Sequence, residues 1–187
     1  MTLKEMKTKV LGLIEELSPL SEVLTDDPDI AAKINEVTNQ VMFELARFKK
    51  IPKYVELAVN EGQILEFADI EKKSGYEVYQ IDIICGVRYV PRAQGTVLKM
   101  LESGTAEISF FAYPERITAK TKDTAYEFEL TQDALEIMPY GIAADLLKSD
   151  VSAEYGNIYA TRYREMFQIL DHRYQMPGIF IEGGIEV

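Results

Sequence analysis

The chain carries few residues of the types that do covalent or metal chemistry, and they are scattered. It has one histidine, His172, and one cysteine, Cys85. Metal sites need His, Cys or carboxylate ligands at close spacing, and a catalytic nucleophile needs a base within hydrogen-bond reach. A glycine-rich phosphate loop that opens a helix is also missing from the sequence. We therefore expect no enzyme: no catalytic residue, no metal ion and no cofactor.

The residues that come nearest to a site have simpler structural explanations. Asp26, Asp27 and Asp29 lack the glycine turn and the distal glutamate of a calcium loop, and they are typical of a helix start. Cys85 lies in an apolar, strand-like run, and we expect its thiol to be buried. His172 follows a predicted helix, where a donor satisfies the last carbonyl groups.

Three tyrosines recur at every fourth position along another predicted helix: Tyr155, Tyr159 and Tyr163. One interpretation is a stripe of the protein core whose phenol tips reach solvent. The other is a subunit interface, where tyrosine is enriched and where Arg162 would pair with acids of a neighbouring chain. The possible interface residues are thus Tyr155, Tyr159, Arg162 and Tyr163.

Composition and charge exclude several classes of protein. Of the 187 residues, 47% are hydrophobic and 27% are charged, as in ordinary globular domains. The net charge of −11 repels phosphate backbones and disfavours nucleic-acid binding. We find no apolar run of the roughly 20 residues that cross a membrane, and no signal-peptide pattern. With a single cysteine and no disulfide framework, a reducing cytoplasm is the expected location.

Hydrophobic periodicity predicts two helices at the start of the chain and a β-rich block after them. The first helix is capped by Thr2 and extends through Leu17, and the second spans about 28–50. Closely spaced glycines and β-branched residues then predict antiparallel strands near 54–60, 63–67, 77–84, 87–91, 96–101 and 105–113. We predict a hairpin turn at 102–105.

Two further helices and an apolar tail complete the predicted order. The third helix begins at Thr131, with a kink or break between 138 and 141 because of Pro139. The fourth ends near 171, and Gly156 makes its first turn irregular. The predicted class is α+β: an antiparallel bundle of four helices with an inserted antiparallel β-sheet subdomain. The boundaries are 1–52, 53–117, 118–174 and a tail at 175–187.

Three segments give this order a family resemblance. They are residues 135–150, reading LEIMPYGIAADLLKSD; residues 159–167, reading YATRYREMF; and residues 110–114, reading FFAYP, which close the β block. From about residue 26 to 171, the layout resembles head–tail adaptor, or connector, proteins of tailed bacteriophages and prophages. That family has no catalytic residues to transfer.

The resemblance implies a structural role in the virion neck, with assembly in the host bacterial cytoplasm. Such a subunit forms a ring, usually of 12 copies, beneath the portal protein, and DNA passes through the channel without specific binding. A tail-completion or stopper protein would be a further partner. The apolar tail would dock on the portal or on an adjacent subunit by strand addition. Its docking residues would be Ile179, Phe180, Ile181, Ile185 and Val187.

Alternative functions remain open at this point. The chain could be a tail-completion or stopper protein of the same neck, which contact with the tail tube would distinguish. It could instead be a small ligand- or carbohydrate-binding module that uses the β subdomain. A deep aromatic pocket in residues 54–113 of a monomer would favour that alternative. A buried carboxylate pair with widely separated pKa values would favour an enzyme.

Overall fold

A computed structural model describes residues 1–16, 24–93, 97–149 and 153–170. The helices are α1 (Leu3–Leu13), α2 (Pro28–Phe48), α3 (Phe67–Ser74), α4 (Gln132–Leu146) and α5 (Ala153–Ile169), with a 3-10 turn at Leu147–Ser149 after α4. The strands are β1 (Ile51–Val59), β2 (Ile64–Glu66), β3 (Val78–Cys85), β4 (Tyr89–Arg92), β5 (Val97–Met100) and β6 (Gly104–Ala112). The predicted α+β class with a β subdomain is confirmed.

Local signals fix the ends of the first two helices. The Thr2 side chain accepts a hydrogen bond from the Glu5 N–H, and the Glu5 carboxylate accepts one from the Thr2 N–H. Asp27 caps α2 by accepting from two backbone N–H groups, as its acidic start predicted. The predicted extension of the first helix through Leu17 is wrong, because Glu15 turns left-handed with φ of 61° and ends α1.

The strands form two antiparallel sheets, ordered β1-β6-β3 and β2-β5-β4. The predicted strands all appear, but α3 was not predicted. The predicted hairpin at 102–105 is wrong, because β5 and β6 belong to different sheets and the turn crosses from one to the other. Gly86 allows a close approach there: with φ of 81°, a Cβ atom would lie 2.4 Å from the Thr105 carbonyl oxygen.

Two hydrophobic cores result from this order. One joins α1, α2 and α4 with the connector that follows β6 and with part of α5. The other fills the space between the two sheets and α3. The antiparallel order of the helices and the four domain boundaries stay predictions.

Helix α4 is the centre of the helical core, in contact with α1, α2 and α5. It is continuous through Pro139, so a break there is wrong, and the kink stays a prediction. Ile137, Met138 and Ile142 are buried around the proline, and their packing stabilises the helix. At Gly141, a Cβ atom would lie 3.0 Å from side-chain carbons of both Val41 and Tyr163. Glycine therefore lets α4 approach α2 and α5 closely.

Polar contacts join the β subdomain and the connector that follows it to the rest of the chain. Asn39, almost fully buried, donates a hydrogen bond to the Ile117 carbonyl (2.8 Å) and accepts one from the Ile117 N–H (2.9 Å). Lys53 of β1 pairs with Glu129 at 3.0 Å. Because the two Asn39 bonds satisfy buried polar groups of both residues, they fix the path of the connector that leaves the sheet.

Candidate assembly surface

The large apolar side chains of α5 are spread over about half of the circumference of the helix. At 100° per residue, Ile158 and Ile169 fall on one side of Tyr155, and Tyr159, Tyr163 and Phe167 fall on the other. Such a wide arc exceeds the stripe that an ordinary surface helix buries. The packing of α5 in this chain covers only one part of the arc.

The inward part of the arc packs on α4 and also contacts α1 and α2. The Tyr159 hydroxyl donates to the Leu13 carbonyl at the end of α1. The Tyr163 hydroxyl donates to the Glu44 carboxylate at 3.1 Å, and Phe167 packs on Phe48 with ring centroids 4.4 Å apart. Burial, together with the adjacent Glu44 charge, raises the pKa of Tyr163 far above its ordinary value. These residues fasten α5 to the rest of its own chain.

The outward part of the arc faces solvent. Tyr155 is 65% exposed, Ile158 60% and Ile169 82%. Between them lie Arg162 and Glu165, which form an exposed ion pair at 3.7 Å. We call these five residues the outer stripe. Their spacing of three, four, three and four residues places all five on one face of the helix.

The residues predicted as a subunit interface divide between the two sides. Tyr155 and Arg162 lie in the outer stripe, whereas Tyr159 and Tyr163 form hydrogen bonds within the chain. For Tyr155, this excludes the core interpretation. Sequence reasoning assigned no interface role to Ile158 or Ile169, although their helical angle next to Tyr155 was a usable signal. The predicted irregular first turn is wrong: Gly156 is buried within α5, and a Cβ atom there would lie 3.2 Å from the Leu147 Cβ.

The predicted docking residues Ile179, Phe180, Ile181, Ile185 and Val187 lie outside the described residues, as does His172. Cys85 is described, and the prediction of a buried thiol is wrong. Cys85 is the last residue of β3 and pairs with Glu107 of β6. It lies on the sheet face turned away from the core between the two sheets. An exposed position at a strand end leaves this thiol in contact with solvent.

The described residues contain no group of three or more His, Cys, Asp or Glu side chains placed to hold a metal ion. Over the same residues, no helix is long and apolar enough to cross a membrane. The feature that remains is the exposed apolar surface of the outer stripe on α5. Models of known protein families and the curated proteins give no match to this chain.

Proposed function

We propose that this chain is a structural subunit of the virion neck, a head–tail adaptor that assembles into a ring beneath the portal protein. The outer stripe of α5 is the observation that carries the proposal. A folded subunit gains nothing from large apolar side chains held in water, but an assembly gains from burying them. The stripe is therefore the proposed contact with a neighbouring copy.

Ring closure requires a heterologous contact, in which one face of a subunit meets a different face of the next. Because the inward side of α5 bonds to Leu13 and Glu44, the helix is held rigidly while its outer stripe stays available. Rigid presentation lowers the entropy that association costs. Arg162 and Glu165 would sit among the apolar residues and set the register of the contact.

The negative net charge of the chain supports the proposed role as the wall of a DNA channel. It has 31 acidic and 20 basic residues, and acidic side chains lining a channel would keep DNA from adhering as it passes. The proposed partners are copies of the chain itself, the portal protein, and a tail-completion or stopper protein. The copies would form a ring of 12. The role involves no catalysis.

A photo-crosslinking residue placed at Tyr155 tests the contact. In assembled particles, we expect a crosslinked species of twice the chain mass. The control carries the same crosslinker at Lys120, an exposed position in the connector after β6. Crosslinks to tail-tube protein alone would favour the tail-completion role, and a particle reconstruction without this chain in the neck would refute the proposal.

A further inference from the structure

A row of aromatic rings lies where α2 meets the β1-β6-β3 sheet. Phe43 packs on Tyr113 with centroids 5.3 Å apart, Tyr113 on Tyr79 at 5.0 Å, and Tyr79 on Phe111 at 6.3 Å. Three cations lie on these rings, and we call the four rings and three cations the junction strip. Its cations are Arg47, Lys50 and Arg116.

Each cation of the junction strip contacts a ring face. The Arg116 guanidinium lies 4.8 Å from the Phe43 centroid, that of Arg47 lies 5.3 Å from Tyr113, and the Lys50 ammonium lies 4.5 Å from Phe111. Arg47 also donates a hydrogen bond to the Tyr113 hydroxyl at 2.6 Å. These contacts hold the cationic groups in place with their long side chains already ordered.

Within the described part of the chain, none of these three cations forms an ion pair. Their neighbours do: Lys49 pairs with Asp133 and Lys53 with Glu129. Glu44, one turn before Arg47 on α2 and one residue from Phe43, accepts a hydrogen bond from the Tyr163 hydroxyl. In a chain with a net charge of −11, three adjacent cations without acidic partners indicate a surface built to receive an anionic group.

A groove of about 470 Å³ continues the junction strip toward α5. Its walls are the apolar rings of Phe43, Phe48 and Phe167, with Arg47 and Glu44 among the lining residues. Rings beside fixed cations suit an extended peptide that carries both apolar and acidic side chains. Nucleic acid would engage the cations but leave the apolar walls without a partner.

The chain itself contains a segment of this chemistry. Residues 176–187 include three isoleucines, one phenylalanine and two glutamates, and they carry no lysine or arginine; these residues are Ile179, Phe180, Ile181, Glu182, Ile185 and Glu186. The described chain ends at Leu170, close to Phe167 in the groove wall. The nine steps from Leu170 to Ile179 span up to about 30 Å when extended, so the segment reaches the strip.

We propose that residues 176–187 dock on the groove and junction strip of their own chain. Their apolar side chains pack along the Phe43, Phe48 and Phe167 walls, and Glu182 and Glu186 pair with the strip cations. An intramolecular partner is favoured because the short connection gives it a high effective concentration. This inference goes beyond the proposed ring and does not depend on it, since it concerns the isolated chain.

A single tryptophan tests the docking, because the full chain contains none. In Phe180→Trp protein, we expect blue-shifted emission and severalfold protection from a soluble quencher. Removing the three cations with Arg47→Gln, Lys50→Gln and Arg116→Gln should abolish the protection. About 1 M salt should weaken the protection, because the Debye length is then roughly 3 Å and charge–charge attraction is screened.

The matched control removes three cations elsewhere, with Lys9→Gln, Lys120→Gln and Lys122→Gln, and should keep the protection. Circular dichroism of both triple variants checks that the fold is retained. An exposed tryptophan that responds to neither salt nor the strip variant overturns the proposal. Protection that rises with protein concentration overturns its intramolecular form. Neither result bears on whether Tyr155 crosslinks in particles, so the two proposals fail separately.

Discussion

Helices α4 and α5 are neighbours of similar length, yet they stand in opposite relations to solvent. Nine of the fifteen residues of α4 are buried, and α1, α2 and α5 surround it. Helix α5 is apolar over a wide arc but leaves Tyr155, Ile158 and Ile169 exposed. The hydrophobicity of α4 is thus used by the fold, whereas part of that of α5 is left over. Residues the fold does not use are the ones we assign to assembly.

The test with the largest expected effect replaces one isoleucine in each of the two helices. Ile142 of α4 is fully buried, so Ile142→Ala should lower the free energy of unfolding by about 2–5 kcal/mol. Ile158→Ala should change it by no more than about 0.5 kcal/mol, because its side chain is already hydrated. Urea denaturation followed by circular dichroism measures both. Equal losses would mean that the outer stripe is part of the subunit core.

A charge in the outer stripe should separate assembly from folding. Ile158→Glu places a carboxylate in the proposed contact, and we expect the Tyr155 crosslink to need at least about tenfold more protein, equivalent to about 1.4 kcal/mol. The urea midpoint of the isolated chain should stay where it is. The control is Lys120→Glu, which places a carboxylate at an exposed position outside the stripe. If both variants crosslink like the parent, the stripe does not contact a second copy.

Much of the fold was predictable because its signals are local. Glycines and alternating residues located every strand, and Thr2 and Asp27 located two helix starts. Helix α3 was missed although its signals are present: Glu66 and Asp69 form a capping box, and Gly75 ends the helix in a left-handed conformation. Its short length, between two strands, hid its periodicity.

Features that depend on tertiary neighbours were not predictable. Cys85 lies in an apolar run, but its exposure depends on which face of β3 it occupies and on where the strand ends. Likewise, the sequence shows how wide the apolar arc of α5 is, but not how much of it α1, α2 and α4 cover. For this reason the sequence-based prediction of interface residues grouped the outward Tyr155 and Arg162 with the inward Tyr159 and Tyr163.

The two sides of α5 can also be compared through their tyrosines. Tyr159→Phe removes the hydroxyl that donates to the Leu13 carbonyl, and we expect a loss of about 1 kcal/mol in unfolding free energy. Tyr155→Phe removes a hydroxyl from a side chain that is 65% exposed, and should change little. Thermal or urea unfolding measures the difference. If the two variants lose the same amount, the Tyr159 bond does not fasten α5 to α1.

The smallest expected effect compares one ion pair in each helix. Burial raises the pKa of Asp133 in α4, but the Lys49 ammonium at 2.8 Å, the Thr131 side chain and the Ala134 N–H together bring it below the ordinary value of 3.8. A carboxyl group whose pKa is lowered by folding stabilises the native state above 3.8, and this contribution disappears as pH falls through the lowered value.

Asp133→Asn should therefore cost less than about 1 kcal/mol at neutral pH, because the Asp133 side chain is nearly half exposed and salt screens the pair. Asparagine keeps an acceptor for the Ala134 N–H, so the variant isolates the charge. The difference from the parent should vanish once pH is below the lowered pKa. In α5, Glu165→Gln removes a pair that is exposed on both sides, and should cost nothing at either pH. Urea unfolding from neutral to acidic pH measures both variants, and an Asp133→Asn loss that persists in acid would show that packing, not charge, anchors the first turn of α4.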